Sequence, residues 1–276
     1  MFDSKLTAYK NALQNEEKSA HTVEKYLRDV RTFLAWMGDA ALSKDAVIAY
    51  KNDLLERGYT VRSINSMLAA VNRWLTASGH EDCRVKALKV QREAFCPEEK
   101  ELTKAEYERL CRTAEAKHNE RLNLILQTIG GTGIRVSELP FITVEAAKKG
   151  EATVSLKGKT RTVLIVKALK QKLLRYCAEQ GIETGMIFVT RSGKPVSRTN
   201  VWREMKQLCR EAKVSPGKVF PHNLRHLFAR TFYGIEKDIA KLADILGHAS
   251  IDTTRIYIVS TGTEHRRFME KMRLIL

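Results

Sequence analysis

Apolar positions in the first third of the chain recur at intervals of three and four. After Ser19 they fall at Val23, Tyr26, Leu27, Val30, Phe33, Leu34 and Met37, the stripe of a helix with one buried face. Ser43 is placed to cap a second helix, which carries Val47, Ile48, Leu54 and Leu55 and stops at Gly58. A third spans about Val61 to Ala77, with Ile64, Met67, Leu68, Val71 and Leu75 on one side and Gly79 beyond its end. Residues 1–88 therefore read as a bundle of three or four short helices. The periodicity then lapses. Residues 89–100, KVQREAFCPEEK, are polar, contain Pro97 and read as a linker.

Thr103 and Glu106 reopen the helical pattern with the T-x-x-E of a capping box. Beyond them the pattern is mixed. EATVSL and TRTVLIV are β-branched runs that predict a hairpin over residues 151–166, with Lys157, Gly158 and Lys159 as its turn. MIFV predicts a further strand, which meets a turn at Arg191-Ser192-Gly193, and from Thr199 the chain reads as helical to its end. The expected fold is mainly α with a small β-sheet: a helical bundle over 1–88, a linker over 89–100, and a mixed α+β domain over 101–276.

Charge changes the picture. The chain carries 48 Lys+Arg against 32 Asp+Glu, a net of +16. Residues 1–100 hold 16 and 14 of these, so the excess sits almost wholly in the second domain, with 32 and 18. A basic surface of this size favours a polyanionic partner, nucleic acid or an anionic membrane surface. Residues 1–10, MFDSKLTAYK, lack the apolar core of a signal peptide, and no apolar run approaches the roughly 20 residues that span a bilayer. Cys83, Cys96, Cys111, Cys177 and Cys209 are odd in number, scattered and without CxxC spacing, as in ordinary intracellular thiols. The expected location is the cytoplasm, in association with the nucleoid.

Five segments of the second domain carry candidate chemistry: Gly131-Thr132-Gly133-Ile134-Arg135 with Val136-Ser137-Glu138-Leu139, Lys157 in the hairpin turn, His222-Asn223-Leu224-Arg225-His226, Leu246-Gly247-His248, and Thr253-Thr254-Arg255-Ile256-Tyr257. Taken singly, each reads as an ordinary surface or capping residue, or, for Tyr257, as a core tyrosine with its hydroxyl at the surface. Taken together, with 23 residues from Arg225 to His248 and nine from His248 to Tyr257, the set resembles the tyrosine recombinase family. That family's pattern is arginine, hairpin lysine, H-x-x-R, G-H and a C-terminal tyrosine. All six positions are filled, by Arg135, Lys157, His222, Arg225, His248 and Tyr257.

The residue types suit phosphodiester transfer. Negative charge spreads over the non-bridging oxygens in the transition state, and Arg135 and Arg225 offer planar, permanently charged, paired donors to it. His222 and His248 are able to add hydrogen bonds to the same phosphate. A phenol is mostly neutral at pH 7, so Tyr257 needs help to lose its proton. The resemblance assigns that role to His222 and makes Lys157 the acid for the leaving 5′ oxygen. It implies a 3′-phosphotyrosyl intermediate, and hence rejoining without ATP. No cofactor or metal is expected, since Arg, Lys and His repel a cation where two-metal nucleases gather carboxylates. Glu138 stands three residues after Arg135 and reads equally as an orienting partner or a surface pair. Pro140 departs from the family's usual run and is expected to shorten the local helix.

The implied partner is a double-stranded DNA core site clamped between the two domains, with two protomers per site and a tetramer at synapsis. The apolar tail Phe268, Met269, Met272, Leu274, Ile275 and Leu276 is expected to dock on a neighbouring protomer. The chain begins almost directly at the helical bundle, so an additional arm-binding domain is not expected. Integration or excision of a mobile element is the expected role, with Xer-type dimer resolution as the alternative. A type IB topoisomerase and a catalytically silent DNA-binding regulator also remain open, with a His- and Lys-dependent ribonuclease as a distant third.

Overall fold

The computed structural model describes residues 2–90, 98–156, 158–258 and 262–274. The chain divides into two compact units, residues 1–92 and 93–276.

Four helices build the first unit: α1 (Phe2–Asn15), α2 (Ala20–Met37), α3 (Lys44–Glu56) and α4 (Val61–Ala77). Ser19, Ser43 and Thr60 cap α2, α3 and α4, each accepting from a backbone N–H three residues on. The stripe on α2 is buried at Val23, Leu27, Val30, Phe33, Leu34 and Met37, and it faces Ile64, Leu68, Val71, Trp74 and Leu75 of α4. Phe33 lies at the centre, edge-on to Tyr50 at 5.0 Å and to Trp74 at 6.2 Å between ring centroids. Two asparagines on α4 hold the segment that follows. Asn72 exchanges hydrogen bonds with the backbone of Val85, and Asn65 does the same with Leu88. Each satisfies one N–H and one C=O of a stretch that has no ladder partner.

The second unit opens on α5 (Lys104–Ala116), where the Thr103–Glu106 capping box is present in full. Helix α6 (Glu120–Thr132) runs through the middle of the core, with Leu122, Leu124, Ile125, Leu126 and Ile129 buried, and ends on Gly133 in the left-handed conformation. The run Val136–Phe141 is a 3₁₀ turn containing Pro140 rather than an α-helix. After α7 (Val144–Lys149) come β1 (Glu151–Leu156) and β2 (Lys159–Leu164), which pair antiparallel with Glu151 opposite Leu164 and Leu156 opposite Lys159. Lys159 thus belongs to the strand and not to the turn. Lys157 lies outside the described residues.

Helices α8 (Lys167–Glu179), α9 (Arg198–Ala212), α10 (Pro221–Glu236), α11 (Ile239–Leu246), α12 (Ile251–Arg255) and α13 (Gly262–Met272) complete the unit. MIFV does not form the expected strand. Met186 makes one isolated bridge to Thr143 and Val189 one to Pro195, while Ile187 and Phe188 fill the core. Among the described residues the sheet has two strands. Most of the expected linker, residues 91–97, lies outside the described residues.

Candidate active site

Arg225 organises the site. Its side chain is only 1% exposed, yet it has no carboxylate partner among the hydrogen bonds of the described residues. Helix ends take that place. Nη1 donates to Gly133 O (2.5 Å), just beyond the C-terminus of α6, and Nη2 donates to Leu246 O (2.7 Å), the last residue of α11. The final carbonyls of a helix lack intrahelical donors and carry the negative end of its dipole, so two converging C-termini offset much of the cost of burying the cation. Both ends depend on glycine. Gly133 has φ +65°, and a Cβ there would lie 2.5 Å from Phe228; Gly247 has φ +64°, and a Cβ there would lie 2.3 Å from Arg161 Cδ. Burial first, then the charge of Arg135, pulls the Arg225 pKa down to about 10, which leaves it protonated at neutral pH.

His248 follows Gly247 directly. Its Nε2 meets Arg225 Nη2 at 2.9 Å, and its Nδ1 meets Thr254 Oγ1 at 2.8 Å. A guanidinium only donates, so Nε2 accepts, and the neutral ring carries its proton on Nδ1, directed at the buried Thr254 hydroxyl. Thr254 also accepts the backbone N–H of Tyr257 at its carbonyl (2.9 Å), so His248 and Tyr257 are held by one residue.

Tyr257 stands just past α12 and is 6% exposed. Around its ring are His226, stacked at 4.2 Å, His248 at 5.0 Å, His222 edge-on at 5.2 Å, and the Arg225 guanidinium at 5.7 Å. His222 opens α10 and keeps an exposed edge; partial burial and the charges of Arg225, Arg198 and Arg135 lower its pKa, which keeps the ring neutral. Burial and neighbouring cationic or imidazole groups push His226 and His248 to about 4.

Arg135 reaches this group through Glu138. The Glu138 carboxylate is buried (2% exposed) and accepts from the Arg135 backbone N–H (2.9 Å), from Arg135 Nη1 (2.8 Å) and from Arg161 Nη2 (2.6 Å). Burial alone would raise its pKa, but these donors outweigh it and hold the carboxyl below the ordinary range. Glu138 is therefore an orienting partner of Arg135 and not a surface pair.

Five of the six expected residues are described. Four of them, His222, Arg225, His248 and Tyr257, share one cluster, and Arg135 lies in the adjoining ion-paired network. The expectation missed His226, Arg161 and Thr254. His226 had a usable signal, since it is four residues from His222 and so on the same face of a helix. Among the described residues no group of three or more His, Cys, Asp or Glu is arranged to hold a metal ion. No helix there is long and apolar enough to cross a membrane.

Stability should report the histidines. In the unfolded chain they take up protons near pH 6.5, whereas folded His226 and His248 do so only near 4, so the native state loses stability as pH falls from about 6.5 to 4. Melting curves at about pH 7.5, 6.5, 5.5 and 4.5 are expected to show a falling midpoint in the wild type. His226→Phe, which preserves the stack on Tyr257, should show a shallower fall. An equal fall in both would remove His226 from this account.

Comparison with known proteins gives the class. Residues 100–264 match the phage integrase family, and residues 6–79 match the phage integrase N-terminal SAM-like domain. The chain is 31% identical to the tyrosine recombinase XerA of Thermococcus kodakarensis, over 97% of this chain and 94% of that one. Identity to the Pyrococcus furiosus XerA is 30%, over 98% and 94%. A crystal structure of XerA recombinase covers 100% of both chains at 24% identity with a TM-score of 0.56. That of a lambda integrase dimer bound to a COC′ core site covers 94% of this chain and 96% of its own, at 20% identity and a TM-score of 0.75. The chain belongs to the phage integrase family and is a site-specific recombinase of the tyrosine type.

Proposed function

We propose that this recombinase cuts and rejoins double-stranded DNA through a covalent 3′-phosphotyrosyl bond to Tyr257. The observation that carries the reading is the gathering of His222 and Arg225 from α10, and of His248 from just beyond α11, around one buried tyrosine ring. Arg135 and Arg225 stabilise charge on the phosphoryl oxygens, His248 orients the Arg225 guanidinium by accepting from it, and neutral His222 takes the phenolic proton. Lys157 protonates the leaving 5′ oxygen. The helical residues 1–88 and the basic residues 101–276 bind the core site together, and phosphate contacts make that binding salt-sensitive.

Two protomers occupy each site and four assemble at synapsis. Exposed Met269 and Met272 at the end of α13, and Leu274 just beyond it, support docking of the tail on a neighbour. For biological role, integration or excision of a mobile element is the reading drawn from sequence. Matches to XerA relatives along nearly their whole length favour a second, the resolution of DNA dimers.

The reading is tested with supercoiled plasmids carrying two copies of a candidate site, one set from the DNA flanking the gene and one from the chromosomal region where replication ends. Reciprocal exchange products are expected from one set, and equally in EDTA. Relaxation without exchange or site preference would indicate a topoisomerase. Exchange lost in EDTA and restored by Mg²⁺ would contradict the metal-free chemistry.

A further inference from the structure

We infer that Arg161, on β2, is a positioning residue that locks both phosphate-binding arginines in register; the inference rests on the recombinase reading of Arg135 and Arg225. Its guanidinium spans two supports. Nη2 donates to Glu138 (2.6 Å), the carboxylate that holds Arg135 by its backbone and its side chain. Nη1 donates to Ile245 O (2.6 Å), the residue before the Leu246 carbonyl that holds Arg225. One half-buried cation therefore ties the hairpin to the turn that presents Arg135 and to the helix end that anchors Arg225.

The packing is built around this side chain. Its Cδ lies so close beneath Gly247 that a Cβ there would approach to 2.3 Å, and the side chain is 12% exposed. Its two Nη atoms are engaged on the supports of the two site arginines, and Arg161 acts by holding those supports in place. Its charge and hydrogen bond also help to keep Glu138 ionised, and an ionised Glu138 is what fixes Arg135. Lysine is a poor substitute, because one ammonium group has to choose between Glu138 and the Ile245 carbonyl.

The test uses Arg161→Met, which keeps the stem under Gly247, and Arg161→Lys. Each is made in the wild type and in an Arg135→Lys background. Covalent complex formation on a nicked duplex is timed at saturating protein, with DNA affinity and melting temperature measured alongside. Arg161→Met is expected to slow covalent capture by about 100-fold, as misplacement of a charge-stabilising group by about an ångström does, with affinity changed less than about threefold. Arg161→Lys should recover part of the rate. In the Arg135→Lys background the further loss from Arg161→Met should be less than about threefold, because both changes act on one network. A wild-type rate in Arg161→Met, or losses that multiply in full with Arg135→Lys, would overturn the proposal. If Arg161→Met fails to fold, Arg161→Lys decides: slowed capture with retained affinity supports the role, and an unchanged rate ends it. A wild type that binds the duplex tightly but captures none would instead bring down the recombinase mechanism, and this inference with it.

Discussion

Arg225→Ala is expected to slow DNA cleavage by about two to three orders of magnitude and, unusually for an active-site change, to lower the melting temperature too. Both effects have one origin. The guanidinium that would bind the phosphate is also the donor that joins the C-terminal ends of α6 and α11 through Gly133 O and Leu246 O. Its loss leaves these carbonyls and His248 Nε2 without their donor, at about 1–3 kcal/mol for each buried group that water does not reach. Arg225→Lys should recover neither stability nor cleavage in full, since a single nitrogen retains the charge but does not bridge both helix ends. Single-turnover cleavage and thermal melting, measured on the same preparations, check the pair. Near-normal cleavage by Arg225→Ala would remove it from the site.

Tyr257→Phe should behave in the opposite way, with cleavage abolished and stability nearly unchanged. The Tyr257 ring is buried against His226, His248 and His222, and phenylalanine keeps those ring contacts while deleting only the oxygen proposed to attack. DNA affinity should be retained, because binding draws on many phosphate contacts and not on one hydroxyl. A gel-shift titration beside a cleavage assay reads both. A variant that still cuts would transfer the nucleophile elsewhere, and one that unfolds would make Tyr257 a packing residue first.

The sequence made these residues visible because their chemistry and order are rare together, and it made the helices visible because their apolar stripes are regular. The α2 stripe and the Thr103–Glu106 capping box appear in the structure as the pattern predicts. Where expectation and structure part, tertiary packing is the reason. MIFV is short and apolar, and such a run reads alike whether it pairs in a sheet or lies extended in a core; here Ile187 and Phe188 are buried and the ladder stops at single bridges. Arg161 was one basic residue among 48, distinguished only when folding brings it between Glu138 and Ile245. Glu138 was ambiguous for the same reason, since an i,i+3 ion pair looks identical in sequence at a surface and in a core. The sequence marks Arg225 as a candidate phosphate ligand, but its work as a tie between two helix ends is a property of the fold alone.

The central claim is that Tyr257 becomes covalently joined to DNA, and chemical identification of the adduct tests it most directly. Wild-type protein would be trapped on a nicked duplex carrying the core site, digested with protease, and the DNA-linked peptide sequenced by mass spectrometry. The account predicts a peptide containing Tyr257, bonded through its phenolic oxygen to a 3′ phosphate, with a free 5′ hydroxyl on the released strand. An adduct on any other residue, a 5′-linked phosphate, or tight binding with no adduct would contradict it.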